Sequence, residues 1–306
     1  MSELAEKVSM SIERLKAFAP RNGEGYYLAF SGGKDSVVCK ALLDMAGVKY
    51  DAHYRVTSVD PPELVQFIKD KHPDVLREKP MWDSDYKNPH LAGKPITMWN
   101  LIPEMTIPPT RIMRYCCSAL KEEGGDGRMT VTGVRWAESV NRKMNQGPVT
   151  IMEKKAGREL ADDSNFSATA RGGVVLVNDN LDSRRTIEHC YQKMRTVVNP
   201  IIDWEDAEVW EFIKTENVPY CDLYDCGFSR LGCIGCPMAG KHKRELEFRK
   251  WPKYRDLYIL SFDAMLEERE RRGKTDGSWS SIATGIDVFN WWMEYDILPG
   301  QMTFDE

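Results

Sequence analysis

Tyr26-Tyr27-Leu28-Ala29-Phe30-Ser31-Gly32-Gly33-Lys34-Asp35-Ser36-Val37-Val38-Cys39-Lys40-Ala41-Leu42-Leu43-Asp44-Met45 is the stretch that decides the fold of this chain. Its first five residues are apolar and β-prone, which predicts a buried strand. From Val37 onward apolar residues recur at helical spacing. The polar residues between them form a tight glycine turn. A strand, such a turn and a helix start together aim backbone N–H groups at a phosphate. Gly32 and Gly33 permit close backbone approach, Ser31 and Ser36 bring hydroxyls, and Lys34 brings a positive charge. The spacing does not fit G-x-x-x-x-G-K-[ST], so this is a phosphate loop of another kind than Walker A.

Outward from the loop, Lys49 to Val56 predicts a second strand, ending at Thr57 to Glu63. Leu64 to Lys71 then predicts a helix, with Pro61 and Pro62 marking its start. Strand, loop and helix in repetition predict an α/β fold, a doubly wound and mostly parallel sheet with ligands at the C-terminal strand ends. Asp60 lies at such an end and reads equally as an adenosine contact and as a helix cap. Lys79 to Pro109, rich in Pro, Trp and Asn, reads as a long irregular excursion with one short helix at Thr97 to Leu101. Arg128 to Val134 reads as a third core strand, with Gly133 near its end and Arg135, Glu138, Ser139 and Arg142 just beyond. Residues 146–195 read as an insertion, with a strand or hairpin at Val174 to Val177. Val197 to Ile202 resumes as a strand, and Asp203 reads as the cap of a helix from Glu205 to Thr215. Lys241 to Arg272 reads as a charged, solvated helical stretch. Trp279, Trp291 and Trp292 read as packing for a C-terminal helix. The expected division is an α/β nucleotide-binding domain over 1–240, carrying the insertion, and a helical extension over 241–306.

Composition bounds the function. A chain of 306 residues with 42% apolar content and a net charge of −5 describes an ordinary globular protein without a strongly basic face. No apolar run approaches the ~20 residues that span a bilayer. Met1 to Ala17 reads as an amphipathic helix with early acidic residues rather than a signal peptide, so no membrane partner and a cytoplasmic location are expected.

There are eight cysteines: Cys39, Cys116, Cys117, Cys190, Cys221, Cys226, Cys233 and Cys236. In a cytosolic chain such clustering points to metal or redox chemistry. Cys116-Cys117 and the Cys233-Ile234-Gly235-Cys236-Pro237 run offer four thiolates from two distant segments. They fit one tetrahedral zinc ion or one [4Fe–4S] cluster. Adjacent cysteines crowd a single ion, whereas a cubane offers separate iron corners, which favours the cluster. Cys221 or Cys226 could replace a ligand or stand nearby as a reactive thiol. Cys39 reads as a small core residue, and Cys190 has no assigned role.

Four ordered blocks carry a family resemblance. They are Ser31 to Ser36; Arg114-Tyr115-Cys116-Cys117-Ser118-Ala119-Leu120-Lys121; Thr132-Gly133-Val134-Arg135 with Glu138, Ser139 and Arg142; and Asn199-Pro200-Ile201-Ile202-Asp203-Trp204 running on through Leu223 to Cys236-Pro237. Together they resemble the phosphoadenosine phosphosulfate (PAPS) reductase family within the ATP-pyrophosphatase (PP-loop) superfamily, whose fold is adenine nucleotide alpha hydrolase-like. The first block is similar to the SGGxDS loop of enzymes that cut ATP between the α and β phosphates. The cysteine pair with CxxC resembles the [4Fe–4S] ligand set of the adenylylsulfate-reducing branch. Two departures stand out. Family reductases carry a catalytic cysteine in a Glu-Cys-Gly-type motif near the C-terminus, and no cysteine follows Cys236 here. They also usually carry a degraded pyrophosphate loop, which is whole here. The ATPase component of bacterial DNA phosphorothioation (DndC) and phage-borne PAPS-reductase-like proteins resemble this arrangement.

The resemblance implies an ATP-dependent sulfurtransferase or nucleotidyl-activating enzyme. Ser31, Gly32, Gly33, Lys34, Asp35 and Ser36 would hold the phosphates, with Mg2+ sharing the charge. Asp60, Gly133 and Arg135 would complete the nucleotide site. Lys34, Asp35, Arg135 and Arg142 would act on the charge that develops in the reaction, and Cys226 is the candidate sulfur carrier. A [4Fe–4S] cluster on Cys116, Cys117, Cys233 and Cys236 is the expected cofactor, zinc the lesser alternative. The alternatives are reduction of adenylylsulfate or PAPS, and a non-catalytic nucleotide-binding protein with a structural metal. The acceptor stays open among DNA, a tRNA base and a small molecule, and a sulfur donor or reductant protein is the expected partner. The basic pairs Arg142-Lys143, Lys154-Lys155 and Arg184-Arg185 and the run Lys241 to Lys250 are the candidate phosphate contacts for a nucleic-acid acceptor.

Overall fold

The computed structural model describes residues 3–21, 23–122, 124–125, 127–152, 158–160, 162–170, 172–177, 196–274 and 284–295. The expectations placed on Lys154-Lys155, Arg184-Arg185, Cys190 and Trp279 lie outside them. The chain forms two compact units. One comprises Met1–Tyr54, Pro62–Glu78 and Gly124–Leu231, the other Arg55–Pro61, Lys79–Glu123 and Gly232–Glu306. The units interleave along the sequence, whereas the division expected from the sequence is a single cut at 240.

The first unit is built on one sheet. Its strands are β1 (Tyr26–Ala29), β2 (Tyr50–Arg55), β3 (Leu76–Glu78), β4 (Thr130–Val131), β5 (Val149–Ile151), β6 (Phe166–Ala168), β7 (Val174–Leu176) and β8 (Thr196–Val198), in the order β3-β2-β1-β4-β8-β5-β7-β6. β2, β1, β4 and β8 run parallel, with Leu28 opposite Ala52 and Val131, and Val131 opposite Val198. β5, β7 and β6 continue the sheet in antiparallel pairings. The expected insertion therefore supplies sheet strands. The sheet is mixed but mostly parallel at its centre, and Tyr26, Leu28, Val131, Val149, Ile151, Val174, Leu176 and Val198 are buried. That accords with the run-on apolar character of strands covered on both faces.

Helices α1 (Glu3–Ala17), α2 (Lys34–Ala46), α3 (Pro62–Lys71), α6 (Val140–Asn145) and α7 (Asp206–Thr215) belong to this unit. Asp203 does not cap α7. Glu205 is the N-cap, in a reciprocal box with Glu208. The Asp203 carboxylate is taken instead by Arg14 of α1, at 2.9 and 3.1 Å, and a paired charge there outcompetes a cap. Trp204, fully buried, donates to Ser11 Oγ at 3.2 Å, which adds a second tie between α1 and this turn.

The second unit is helical: α4 (Met98–Met105), the single turn α5 (Tyr115–Cys117), α8 (Lys241–Lys250), α9 (Pro252–Arg271) and α10 (Gly285–Trp292). The expected continuous helix over 241–272 is broken at Trp251. Pro252 opens α9, where its missing N–H costs nothing. Its core is aromatic. Trp292 lies 4.8 Å from Tyr258 and 5.6 Å from Phe262, and Phe248 lies 5.3 Å from Phe289. Arg244, also buried, has its charge directed to the Trp292 carbonyl at 2.7 Å. No helix among the described residues is long and apolar enough to cross a membrane.

Candidate active site

The loop between β1 and α2 is shaped by its own hydroxyls. Ser36 Oγ donates to the Gly33 carbonyl at 2.8 Å, Ser31 N–H donates to Ser36 Oγ at 3.3 Å, and Gly33 N–H donates to Ser31 Oγ at 3.4 Å. Gly32 takes φ +73°, and a Cβ on it would come within 2.8 Å of Leu64 and Ile68 of α3. Both the turn and the packing therefore require glycine there. Gly133 serves in another way: a Cβ would meet the Asp35 backbone at 2.9 Å, so the segment after β4 packs directly on the first turn of α2.

Four charged side chains converge beside this loop. Lys34 and Arg135 are only 5% and 2% exposed. Arg135 donates through Nε to Asp35 Oδ1 at 2.7 Å, through one terminal nitrogen to Asp206 Oδ1 at 2.8 Å, and through the other to the Trp204 carbonyl at 3.1 Å. Lys34 Nζ lies 3.0 Å from Asp206 Oδ1 and 3.5 Å from Asp35 Oδ2. Burial alone would raise the Asp206 carboxyl, but Lys34 and then Arg135 outweigh it and hold the group below the usual carboxylate range. Two buried cations thus stand next to this glycine turn, each held by the same two carboxylates. Arg142 is paired with Glu138, whose other oxygen lies 3.9 Å from Arg230. Burial, and next the Arg230 charge, push the Arg142 guanidinium below its ordinary value.

Sequence reasoning named Lys34, Asp35 and Arg135, and the structure brings them together. It missed Asp206, whose only local signal is its place at the start of α7. It also missed Tyr224, whose hydroxyl accepts the Lys34 N–H at 2.8 Å. Cys226 lies on the exposed turn that follows Tyr224.

The cysteines of the second unit form a separate grouping. α5 holds Cys116 and Cys117, and a turn with Gly235 at φ +70° holds Cys233 and Cys236. The turn is fixed from three sides: Ile234 N–H donates to the Val59 carbonyl at 2.8 Å, Gly235 N–H to Glu247 at 2.8 Å, and Tyr258 Oη to the Ile234 carbonyl at 3.0 Å. Cys116 lies within electrostatic reach of Cys117, Cys233 and Cys236. Cys117 is lowered to about 5, first by the Cys116 thiol and then by Arg114, whose guanidinium lies 3.5 Å from its sulfur. Cys116 is raised in turn. The Lys121 ammonium is raised chiefly by Cys233 and also faces Asp60 and Cys117. Asp60 itself accepts the Thr57 N–H at 3.0 Å. Among the described residues no three His, Cys, Asp or Glu side chains are gathered to hold a single metal ion.

With this geometry in view, comparison with known proteins gives one family. Residues 25–239 match the phosphoadenosine phosphosulfate reductase domain. The chain belongs to that family. An uncharacterized protein of Methanocaldococcus jannaschii is 26% identical over 244 residues, covering 75% of this chain and 40% of the relative. Adenosine 5'-phosphosulfate reductase of Pseudomonas aeruginosa (strain LESB58) is 27% identical over 256 residues, covering 80% of this chain and 78% of the relative. The chain spans less than half the length of the first curated relatives it matches. A phosphoadenylyl-sulfate reductase structure from Candida auris superposes with a TM-score of 0.41 at 13% identity, over 76% of this chain and 96% of that one. Membership of the PAPS reductase family agrees with the mixed, mostly parallel sheet and its flanking helices.

Proposed function

We propose that this PAPS reductase family member cleaves ATP between the α and β phosphates to activate an acceptor for sulfur transfer. The observation that carries the reading is the loop itself. Ser31 to Ser36 opens α2 with its glycine turn intact, and the buried Lys34 and Arg135 stand beside it. Two buried cations held by two carboxylates are poised to exchange partners. A polyphosphate that enters takes the cations, and Asp35 and Asp206 would then be the carboxylates to hold a Mg2+ that shares the nucleotide's charge. An acceptor oxygen attacks the α phosphorus, the bond to the bridging oxygen breaks, and pyrophosphate leaves. Lys34 and Arg135 stabilise the charge that gathers on it. A persulfide on Cys226, exposed on its turn and loaded by a sulfur-donor protein, then displaces AMP from the adenylated acceptor, and a thiol reductant opens the acceptor–S–S–Cys226 disulfide so formed, freeing the thiolated acceptor and the Cys226 thiol.

A [4Fe–4S] cluster is the cofactor this reading assigns to the second unit. Cys116 is within electrostatic reach of the other three thiols, Arg114 lies by Cys117 and Lys121 faces Cys233, and separate iron corners suit adjacent cysteines better than one ion does. Cys116, Cys117, Cys233 and Cys236 would hold it, and when bound it would supply soft-ligand sulfur or redox chemistry.

A second reading is reduction of adenylylsulfate or PAPS with release of sulfite. The similarity to adenosine 5'-phosphosulfate reductase over 80% of this chain favours it. One anaerobic preparation separates the two, with iron, sulfide and zinc quantified and the products followed from ATP and from adenylylsulfate. Pyrophosphate from ATP supports ATP-driven activation. Sulfite from adenylylsulfate with intact ATP installs the reductase. A zinc protein inert toward both leaves the cysteines structural.

A further inference from the structure

The first amide of α2 already has a partner. Lys34 N–H has no acceptor within its own helix, as holds for every amide of a first helical turn. It donates to the Tyr224 hydroxyl oxygen at 2.8 Å. A Cβ on Gly33 would come within 3.5 Å of the same oxygen, so the hydroxyl lies over the glycine turn as well. An oxygen that accepts from a loop amide at a helix start, beside buried Lys34 and Arg135, has the surroundings a phosphoryl oxygen would have.

The ring that carries it is held from behind. Trp210 of α7 meets Tyr224 edge to face at 5.0 Å, and Tyr220 lies 6.5 Å away. The backbone around it is a knot of short turns. Tyr224 N–H donates to the Cys221 carbonyl at 3.1 Å, Gly227 N–H to the Tyr224 carbonyl at 3.1 Å, and Phe228 N–H to the Leu223 carbonyl at 3.2 Å. Cys221 and Leu223 anchor it in the core, whereas Asp225, Cys226 and Gly227 beyond Tyr224 are exposed.

We propose that the Tyr224 hydroxyl occupies an oxygen subsite of the pyrophosphate group in the nucleotide-free protein, and that the incoming phosphate displaces it. The inference rests on the reading of Ser31 to Ser36 as a pyrophosphate loop. It adds which amide a phosphoryl oxygen takes, what must leave, and that the turn bearing Cys226 moves when the loop is filled. A phosphoryl oxygen carries more charge than a phenol and is the stronger acceptor, so the exchange runs toward the ligand.

The test is titration calorimetry with Mg2+ and inorganic pyrophosphate on the whole chain and on Tyr224→Phe, which keeps the ring and its packing. Loss of the competing acceptor tightens binding by about 3- to 10-fold. Equal or weaker binding by the variant overturns the proposal while leaving the pyrophosphate loop in place. Failure of both proteins to bind either pyrophosphate or ATP overturns the loop reading together with it. A second measurement does not depend on the variant. Pyrophosphate changes the tryptophan emission of the unmodified chain, and Trp210→Phe abolishes that change while still binding. A change that persists in Trp210→Phe, or no change at saturation, contradicts displacement of Tyr224.

Discussion

Lys34 and Arg135 share two carboxylates, and that sharing sets what substitutions there do. Arg135→Lys keeps the charge but loses the fork that reaches Asp35, Asp206 and the Trp204 carbonyl together. It is expected to lower kcat/KM for ATP by about 100-fold and to cost about 1–3 kcal/mol of stability, because the buried Trp204 carbonyl loses its donor. His72 gives a pH dependence that owes nothing to catalysis. Its ring is buried against Phe30 and Phe67 at 4.9 and 5.2 Å, and its Nε2 has no partner. Burial, and then the Lys40 charge, push it from 6.5 down to about 4. The unfolded chain therefore takes up the proton first. Stability is complete above pH 6.5 and falls as the pH drops toward 4, by about 3 kcal/mol at most. His72→Leu should flatten denaturant midpoints across that window. At this scale the sequence disclosed Lys34, Asp35 and Arg135 because they lie in or beside a recognisable loop. Asp206 and Tyr224 were hidden, since their meaning comes from partners far off in the chain, 71 residues away for Asp206 with Arg135 and 190 for Tyr224 with Lys34.

Elements are governed by what packs on their ends. Gly32→Ala at the β1–α2 turn must strain a left-handed backbone and push a methyl into Leu64 and Ile68. It is expected to cost about 2–3 kcal/mol, read as a lowered denaturant midpoint. Asp203→Ala leaves the Arg14 guanidinium half-paired against the Pro200 carbonyl, at 3.1 Å. The expected loss is about 3 kcal/mol, with protease cutting first in α1. β1, α2, β2 and α3 were legible from periodicity and turn residues. Arg128 to Val134 reads as a long strand, but the strand proper is Thr130–Val131, with Met129 and Thr132 each adding one backbone bond to a neighbour, and the chain then turns to lay Gly133 against Asp35. The break between α8 and α9 has its local signal in Pro252, but the charge pattern runs on across it and masks the boundary.

At the scale of the whole molecule, the sheet exceeds what a walk along the sequence can assemble. β5, β7 and β6 are three residues each, with nothing in their composition to name a partner. Only their pairing with β8 and with one another turns an apparent insertion into sheet. The interleaving of the two units was hidden for the same reason: long-range contact, not composition, decides which segments cluster. The loop, by contrast, is local, and so its strand–turn–helix geometry was the most legible part. It is also where the account is most directly exposed. ATP labelled at the α phosphate, incubated with anaerobically purified protein and Mg2+ and separated by chromatography, shows which bond is cut. The account predicts label in AMP or an adenylated product with stoichiometric pyrophosphate, and loss of both in Lys34→Met. Label in ADP, or pyrophosphate release unaffected by Lys34→Met, would contradict it.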